Sequence, residues 1–509
     1  MKKYLLALSL ISSVTLFAQT PDDALRTAWF TQNGSGRNTA TGGVMGSLGG
    51  DITANHVNPA GLGLFKTNEF VLSPGFLLNK NKFNYRGTDT SNDKNNFNYG
   101  ATGIILAAGA NPNKKWTSSA FAISVNQVAN YNNRVQFKGF NNVSSYSEKY
   151  LEELVRDRAD TIAALKNYIY GSSLAFRTYL IDTIRGANGA VMGYQSLVPY
   201  STGINQSYDA TTTGGYHEIA IGLAGNLLDK MYVGGSLVIP VINYQKQIIY
   251  SETDATNNTN NEFKSFEYRE SFSSRGIGVG LKLGMIYKPK DYWRIGFAFH
   301  TPQLLGYKDE IRSSMTTNTE TYAGTITETS DQLNSGNAGK SEYNLSTPWR
   351  AIASASYVFR EVNDTRRQRA FLSADIEYVN YRSARFSAVN KMDIDLVNYY
   401  QMINDEIKDY YKGNVNIRVG GELKFNVWMV RLGGGYYGSP YADEALKANR
   451  IVTSGGFGYR NHGMFIDLSY AHIFQKDVQF AYRLNDKPNT FAVQSGARGN
   501  IMLTLGFKF

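Results

Sequence analysis

The chain has 509 residues, a formal net charge of +10, no cysteine and a mean hydropathy of -0.33. Lack of cysteine excludes a lipoprotein anchor, a disulfide framework and thiolate metal sites; the low hydropathy, with no long apolar run in the mature chain, excludes membrane-spanning helices. The positive charge is scattered, which argues for lysines and arginines meeting anionic lipid head groups and against nucleic acid.

Lys2 and Lys3 followed by the apolar stretch Tyr4 to Phe17 read as a signal peptide, 1–18, with cleavage expected after Ala18 and Gln19 as the mature start. The segment 19–67 lacks period-two alternation. It has a short helix within Pro21 to Phe30, then a small-residue stretch with Gly42, Gly43, Gly46, Gly49 and Gly50, and ends on Asn58-Pro59-Ala60-Gly61, a turn in which Pro59 fixes φ and Gly61 permits a left-handed exit.

From Asn68 onward amphipathic segments repeat, and about fourteen strands are expected, an even number as single-chain bacterial barrels require. They fall near 68–85, 96–110, 116–138, 214–227, 231–250, 263–287, 292–309, 346–360, 370–387, 413–426, 428–437, 451–460, 463–481 and 496–509. The connections at Asn111 to Lys115, Asn226 to Lys230, Lys288 to Asp291, Glu361 to Arg369, Phe425 to Trp428 and Tyr459 to Gly463 are tight. Between them lie long polar loops, among them Phe140 to Thr213, Glu310 to Leu345, Ala388 to Lys412 and Leu484 to Gln494. This alternation is that of a barrel with periplasmic turns and extracellular loops.

Two of those loops, 140–213 and 388–412, carry helical spacing. Ser145 and Glu148 form a capping box ahead of Leu151, Leu154, Val155, Ile162, Leu165 and Ile169; Ile394, Val397, Ile403 and Ile407 repeat the pattern. They are expected either to fold over the barrel mouth or to pack on themselves. In the last strand Ile501, Leu503, Leu505, Phe507 and Phe509 face one way, and Met502, Thr504, Gly506 and Lys508 the other. Water would leave that apolar face uncovered. A bilayer covers it, and Phe509 is the expected contact with the barrel-assembly machinery.

Several segments, taken in order, resemble the FadL/TodX (OmpP1) family of outer-membrane hydrophobic-compound transporters. They are Gly46 to Asn55 leading into Asn58-Pro59-Ala60-Gly61, Arg294 to Pro302, Thr347-Pro-Trp-Arg350, Asp375 to Tyr381 and Arg431 to Pro440. The resemblance implies a barrel of fourteen strands, 68–509, plugged by an N-terminal hatch, 19–67, that passes long-chain fatty acids or aromatic hydrocarbons inward by diffusion. It also implies a kinked third strand that lets ligand leave sideways. Here that strand, Phe121 to Tyr131, lacks the Gly/Pro stretch of such relatives, and broken alternation at Asn126, Gln127 and Asn130 is its one irregularity.

A fatty-acid carboxylate in an apolar lumen needs a cationic partner. Alternation turns Lys282, Arg294, Arg350, Arg418, Lys424 and Arg431 into the lumen with Asp375, Glu377, Glu422 and Asp467, so the plainer reading is mutual ion pairing across the wall. Arg350 and Arg294 are the first candidates because they stand in family-like segments; Lys282, Arg418 and Arg431 follow. The glycine-rich hatch, with few side chains to lock it, is the expected gate. His56, His217, His300, His462 and His472 lie in separate elements with no nucleophile elbow or metal spacing, so neither catalysis, metal nor cofactor is expected.

The expectation is therefore an all-β transmembrane barrel, a monomer in the bacterial outer membrane, in contact with lipid and lipopolysaccharide and with a hydrophobic small molecule. The alternatives are a barrel of this shape acting as a partner or shuttle in secretion, or a receptor for haem or another ligand.

Overall fold

Period-two alternation has a physical consequence in lipid: every backbone N–H and C=O must be paired, and a sheet satisfies that only by closing. A computed structural model describes residues 19–509 apart from 110–113, 257, 360–368, 445 and 447. The expected leader, and most of the expected turns at Asn111 to Lys115 and Glu361 to Arg369, lie outside the described residues. The closed antiparallel barrel has 14 strands. They are β1 (Glu69–Leu72 and Pro74–Tyr85), β2 (Thr88–Asp93, Asn96–Tyr99 and Thr102–Ala108), β3 (Trp116–Asn130 and Asn133–Asn141), β4 (Ile204–Leu227), β5 (Met231–Asp254), β6 (Ser265–Lys290) and β7 (Trp293–His300 and Leu304–Asn318). The second half comprises β8 (Gly339–Ser346 and Arg350–Phe359), β9 (Ala370–Asn380 and Arg385–Ala388), β10 (Gly413–Phe425), β11 (Trp428–Tyr437), β12 (Arg450–Asn461), β13 (Met464–Gln479) and β14 (Ala492–Lys508). Each strand pairs with the next, and closure sets Glu69 of β1 opposite Lys508 of β14.

The outward side chains form an apolar belt. Leu223, Ile277, Leu372, Leu432 and Phe457 all stand exposed on it, with Trp116, Trp293, Phe359 and Trp428 beside the short turns. An apolar band flanked by aromatic residues is the surface that lipid wets. At the opposite end the strands run on past the belt. β4 begins at Ile204, ten residues before the expected 214, and β7 ends at Asn318, past the expected 309. There the outward side chains are polar and the apolar ones, Ile204, Tyr208, Ala210, Ile311 and Met315, turn inward, so the lipid-facing apolar row ends while the ladder continues.

The long loops close over this end. Glu148 reaches back to the Ser145 amide at 3.0 Å, and the helices Ser147–Arg156, Thr161–Lys166 and Ser172–Arg177 follow. Tyr146, Tyr150, Leu154 and Leu174 of this loop pack against Tyr250 and Phe266 of the barrel wall. The helix Ile394–Tyr410 buries Tyr400, Ile403 and Ile407 against Tyr343 and Phe386. Both loops thus cover the mouth.

Candidate functional site

The hatch, residues 19–67, fills the lumen and is held by the wall through polar contacts to its backbone. Ser35 caps the helix Gly36–Ala40, and Asn58 caps the 3-10 turn Pro59–Leu64 by accepting from the Ala60 amide at 3.2 Å. The other end of the Asn58 amide donates to Gly46 O at 2.5 Å, and to Met285 O of β6 and Phe297 O of β7 at 3.3 Å. The Asn-Pro-Ala-Gly turn is therefore a pin between hatch and wall. Asp375 of β9, fully buried, accepts from the amides of Met45 and Gly46, both at 3.0 Å. The glycines serve close approach. Gly42, at φ +73°, would place a methyl 2.6 Å from Gly434 N, and one on Gly46 would lie 2.5 Å from Ser354 Cβ. Gly49, at φ +59°, packs back to back with Gly61, and Gly43 and Gly50 also take positive φ.

The five basic candidates, Lys282, Arg294, Arg350, Arg418 and Arg431, are built into this attachment. Lys282 donates to His56 O at 2.9 Å and pairs with Glu218 at 2.5 Å; Arg294 donates to Leu48 O at 2.9 Å. Arg350 lies over the Phe30 ring at 4.2 Å, pairs with Glu377 at 3.4 Å and donates to Ala28 O. Arg418 bridges Glu377 at 2.9 Å and Asp375 at 3.6 Å, while Arg431 bridges Glu422 at 2.5 Å and Asp467 at 2.6 Å. Glu422 in turn meets Arg37 of the hatch at 3.6 Å. Each charge is neutralised by a partner in the wall or held by a hatch carbonyl, as a low-dielectric interior demands.

Above the hatch, toward the long loops, lies a cavity of about 570 Å³, within the range of small-molecule pockets. Leu25, Trp29, Phe30, Val128, Val452 and Ile473 supply its apolar lining; Arg26, Lys246, Arg450, Arg483 and Arg498 are the basic groups around it. A separate recess of about 40 Å³ lies between Phe30, His56, Lys282, His300 and Arg350 and shares Phe30 and Val128 with the cavity wall.

The same cavity reaches a break in the wall. The β2–β3 ladder runs from Ala108 opposite Ser119 to Thr102 opposite Val125, and among the described residues it goes no further. Beyond that point β2 pairs only with β1, while β3 pairs with β4 and carries a bulge: His217 faces Gln127, Tyr216 faces Ala129, and Val128 is the extra residue. Asn126, Gln127 and Asn130 surround this bulge. Side chains bridge the opened seam. The Asn33 amide of the hatch donates to Tyr99 O at 3.0 Å and to Gln127 O at 2.8 Å, and Asn130 donates to Phe97 O at 3.2 Å.

A plugged fourteen-strand barrel with this motif order matches, over residues 189–509, the family model described as outer membrane protein transport protein (OMPP1/FadL/TodX). The chain belongs to the OMPP1/FadL/TodX family. It is an outer-membrane protein of a transport family whose members are channels for hydrophobic compounds. A search of curated proteins by sequence finds no match. Among solved structures the fold is similar to a FadL homologue from Pseudomonas aeruginosa, at 13% identity over 95% of this chain and 100% of that one, with a TM-score of 0.54. It is also similar to the toluene transporter TodX of Pseudomonas putida, at 12% identity over 95% and 100%, TM-score 0.52. The CymD monoaromatic hydrocarbon channel shares 11% identity over 95% and 99%, TM-score 0.50.

Within this FadL-like barrel, the residues meeting the cavity that sequence reasoning missed include Trp29, Arg450 and Arg498. Arg498 was within reach, because the alternation read backward from Phe509 puts every even position of β14 in the lumen. Trp29 and Arg450 stand at the edges of regular structure, where no period marks their direction.

Proposed function

We propose that this protein conducts hydrophobic and amphipathic small molecules passively across the outer membrane, entering between the long loops, resting in the chamber above the hatch and leaving at the β2–β3 seam. The observation that carries this reading is that one continuous cavity, lined by Trp29, Phe30, Val128 and Ile473, ends at the segment of wall where the backbone ladder is missing. A saturated chain gains about 0.8 kcal/mol per buried methylene, so a fixed greasy pocket would hold its ligand and release it slowly. A movable hatch resolves that conflict. Asn33 is the hatch group that spans the seam, and its withdrawal, with release of the side-chain bonds Asn130 to Phe97 O and Tyr99 N to Gln127, opens the wall without breaking a backbone ladder.

In this reading Arg350, Arg294, Lys282, Arg418 and Arg431 keep the hatch seated, and Arg350 and Lys282 present charge to the lower recess. Gly42, Gly43, Gly46, Gly49, Gly50, Asn58, Pro59 and Gly61 form the moving part. Lipid meets the apolar belt, lipopolysaccharide the polar strand extensions, and the assembly machinery the strand ending at Phe509. Fatty acids and aromatic hydrocarbons are both within the chamber's reach. Uptake of labelled oleate and labelled toluene by cells with and without the gene tests the reading: faster entry of either supports it, and equal entry for every apolar solute overturns it.

A further inference from the structure

Outward cations on the strand extensions are mostly matched by carboxylates. On β6, β7 and β8, Arg269 meets Glu267, Lys308 meets Glu342, Arg312 meets Asp331 and Lys340 meets Glu310. Three exposed lysines on the other side, Lys80 and Lys82 of β1 and Lys476 of β13, have neither an ion pair within 4.0 Å nor a hydrogen bond among the described residues. In the barrel register Lys82 is opposite Ser495 of β14, and Ser495 is opposite Lys476. The two lysines therefore stand about 10 Å apart with one strand between them, and Lys80 is two residues, about 7 Å, along β1 from Lys82.

This triangle lies at the end of the barrel that carries the long loops, directly above the apolar belt. Phe76, Leu78, Tyr470, Phe474 and Ile501 are exposed below it on the same three strands. Between the lysines the outward side chains of β14 are only Ser495 and Ala497, so three long flexible stems border a shallow trough that opens downward onto the belt. The outward positions of β1, β13 and β14 above the belt hold no carboxylate, and Asp93 of β2, opposite Lys80 in the ladder, lies beyond 4.0 Å of it. Like charges about 7 to 10 Å apart are separated by roughly one Debye length in physiological salt, so each lysine raises the cost of the others. An anion seated between them lowers it.

We propose that Lys82 and Lys476, with Lys80 and the Ser495 hydroxyl, form an external binding site for the phosphorylated sugar head group of outer-leaflet lipopolysaccharide, whose acyl chains lie down the belt over Leu78, Phe474 and Ile501. Position selects the lipid. The trough faces the bilayer at the level where the outer leaflet passes from acyl chain to head group, and a phosphate supplies the acceptor oxygens that three ammonium groups without carboxylates lack. The inference rests on the lipopolysaccharide contact of the reading above, gives it a definite place, and does not depend on what the lumen conducts.

Native mass spectrometry on the purified, lipid-stripped protein in nonionic detergent measures binding of three probes: lipid A, the same lipid A with its phosphates removed, and phosphatidylglycerol. One lipid A per protein is expected, held at least about tenfold tighter than either other probe. Each lysine near a lipid surface contributes about fivefold in affinity, so Lys82→Gln with Lys476→Gln should weaken lipid A about thirtyfold. Lys308→Gln with Lys340→Gln, whose lysines are already paired, should stay within about twofold. Unchanged binding after the first pair of substitutions, or an equal loss after both pairs, overturns the site. So does lipid A held no tighter than phosphatidylglycerol, the mark of general attraction to anionic lipid, or its displacement by excess inorganic phosphate, the mark of a free-anion site. All four lysines are exposed, and heat-dependent gel mobility verifies that each variant is folded. Failure of lipid A binding leaves the channel reading untouched, and failure of solute uptake leaves this site untouched, because the two measurements share no step.

Discussion

Replacing Asp375 by alanine should unseat the hatch while leaving the barrel standing. The carboxylate is fully buried and takes two hatch amides, Met45 and Gly46 at 3.0 Å each, and the Ser354 hydroxyl at 2.6 Å, with Arg418 at 3.6 Å. Two hydrogen bonds to a charged acceptor at about 1.5 kcal/mol each give about 3 kcal/mol at the low end of their range. The stranded amides add to that. Because every 1.4 kcal/mol is a factor of about ten, protection of the Gly42 to Gly50 backbone against hydrogen exchange should fall by at least about a hundredfold. Exchange of β13 and β14, whose ladders include neither Asp375 nor its partner Arg418, should be unchanged. Hydrogen exchange read by mass spectrometry on the protein in detergent measures both. Unaltered protection of the hatch would refute the claim that Asp375 holds it, and loss of protection throughout the barrel would refute the claim that hatch and wall are separately stable.

Lys282→Met strands Glu218 in the lumen and should cost about 3 kcal/mol of stability, most of it recovered by adding Glu218→Gln; thermal unfolding in detergent checks both. Gly46→Ala puts a methyl 2.5 Å from Ser354 Cβ and should raise single-channel leak in planar bilayers, whereas Gly50→Ala meets nothing within 4 Å and carries only the strain of φ +63°, about 1 kcal/mol, with little leak. Leu432→Arg on the lipid face should weaken folding into vesicles by about 2–4 kcal/mol while an apolar exchange such as Leu432→Met is nearly neutral.

The barrel was legible wherever one face of a strand meets lipid. In β11 the expected limits coincide with Trp428–Tyr437, and β14 shows exposed Ile501 and Phe507 against buried Met502 and Thr504. Above the belt the signal changes, because in Ile204 to Thr213 the outward side chains Asn205, Ser207, Asp209 and Thr211 are polar while Ile204, Tyr208 and Ala210 turn inward, so the lipid-facing apolar row that marks a strand below is gone and only the backbone ladder continues it. The inward direction of Arg418, Arg431 and Asp375 could be read from the same alternation. Their partners could not, since Arg431 meets Asp467 across 36 residues and Arg350 meets Ala28 across 322. The chamber was out of reach for the same reason: Trp29, Val128 and Arg498 come together only when strands far apart in sequence become neighbours on a closed ring.

The most direct test of the chamber as the ligand's resting place is a crystal structure of the protein soaked with dodecanoate brominated at its chain end. The account predicts an anomalous bromine signal inside the lumen above the hatch, in the chamber lined by Trp29, Phe30, Val128 and Ile473. Bromine found only on the outer apolar belt, or between the long loops with the lumen empty, would contradict it.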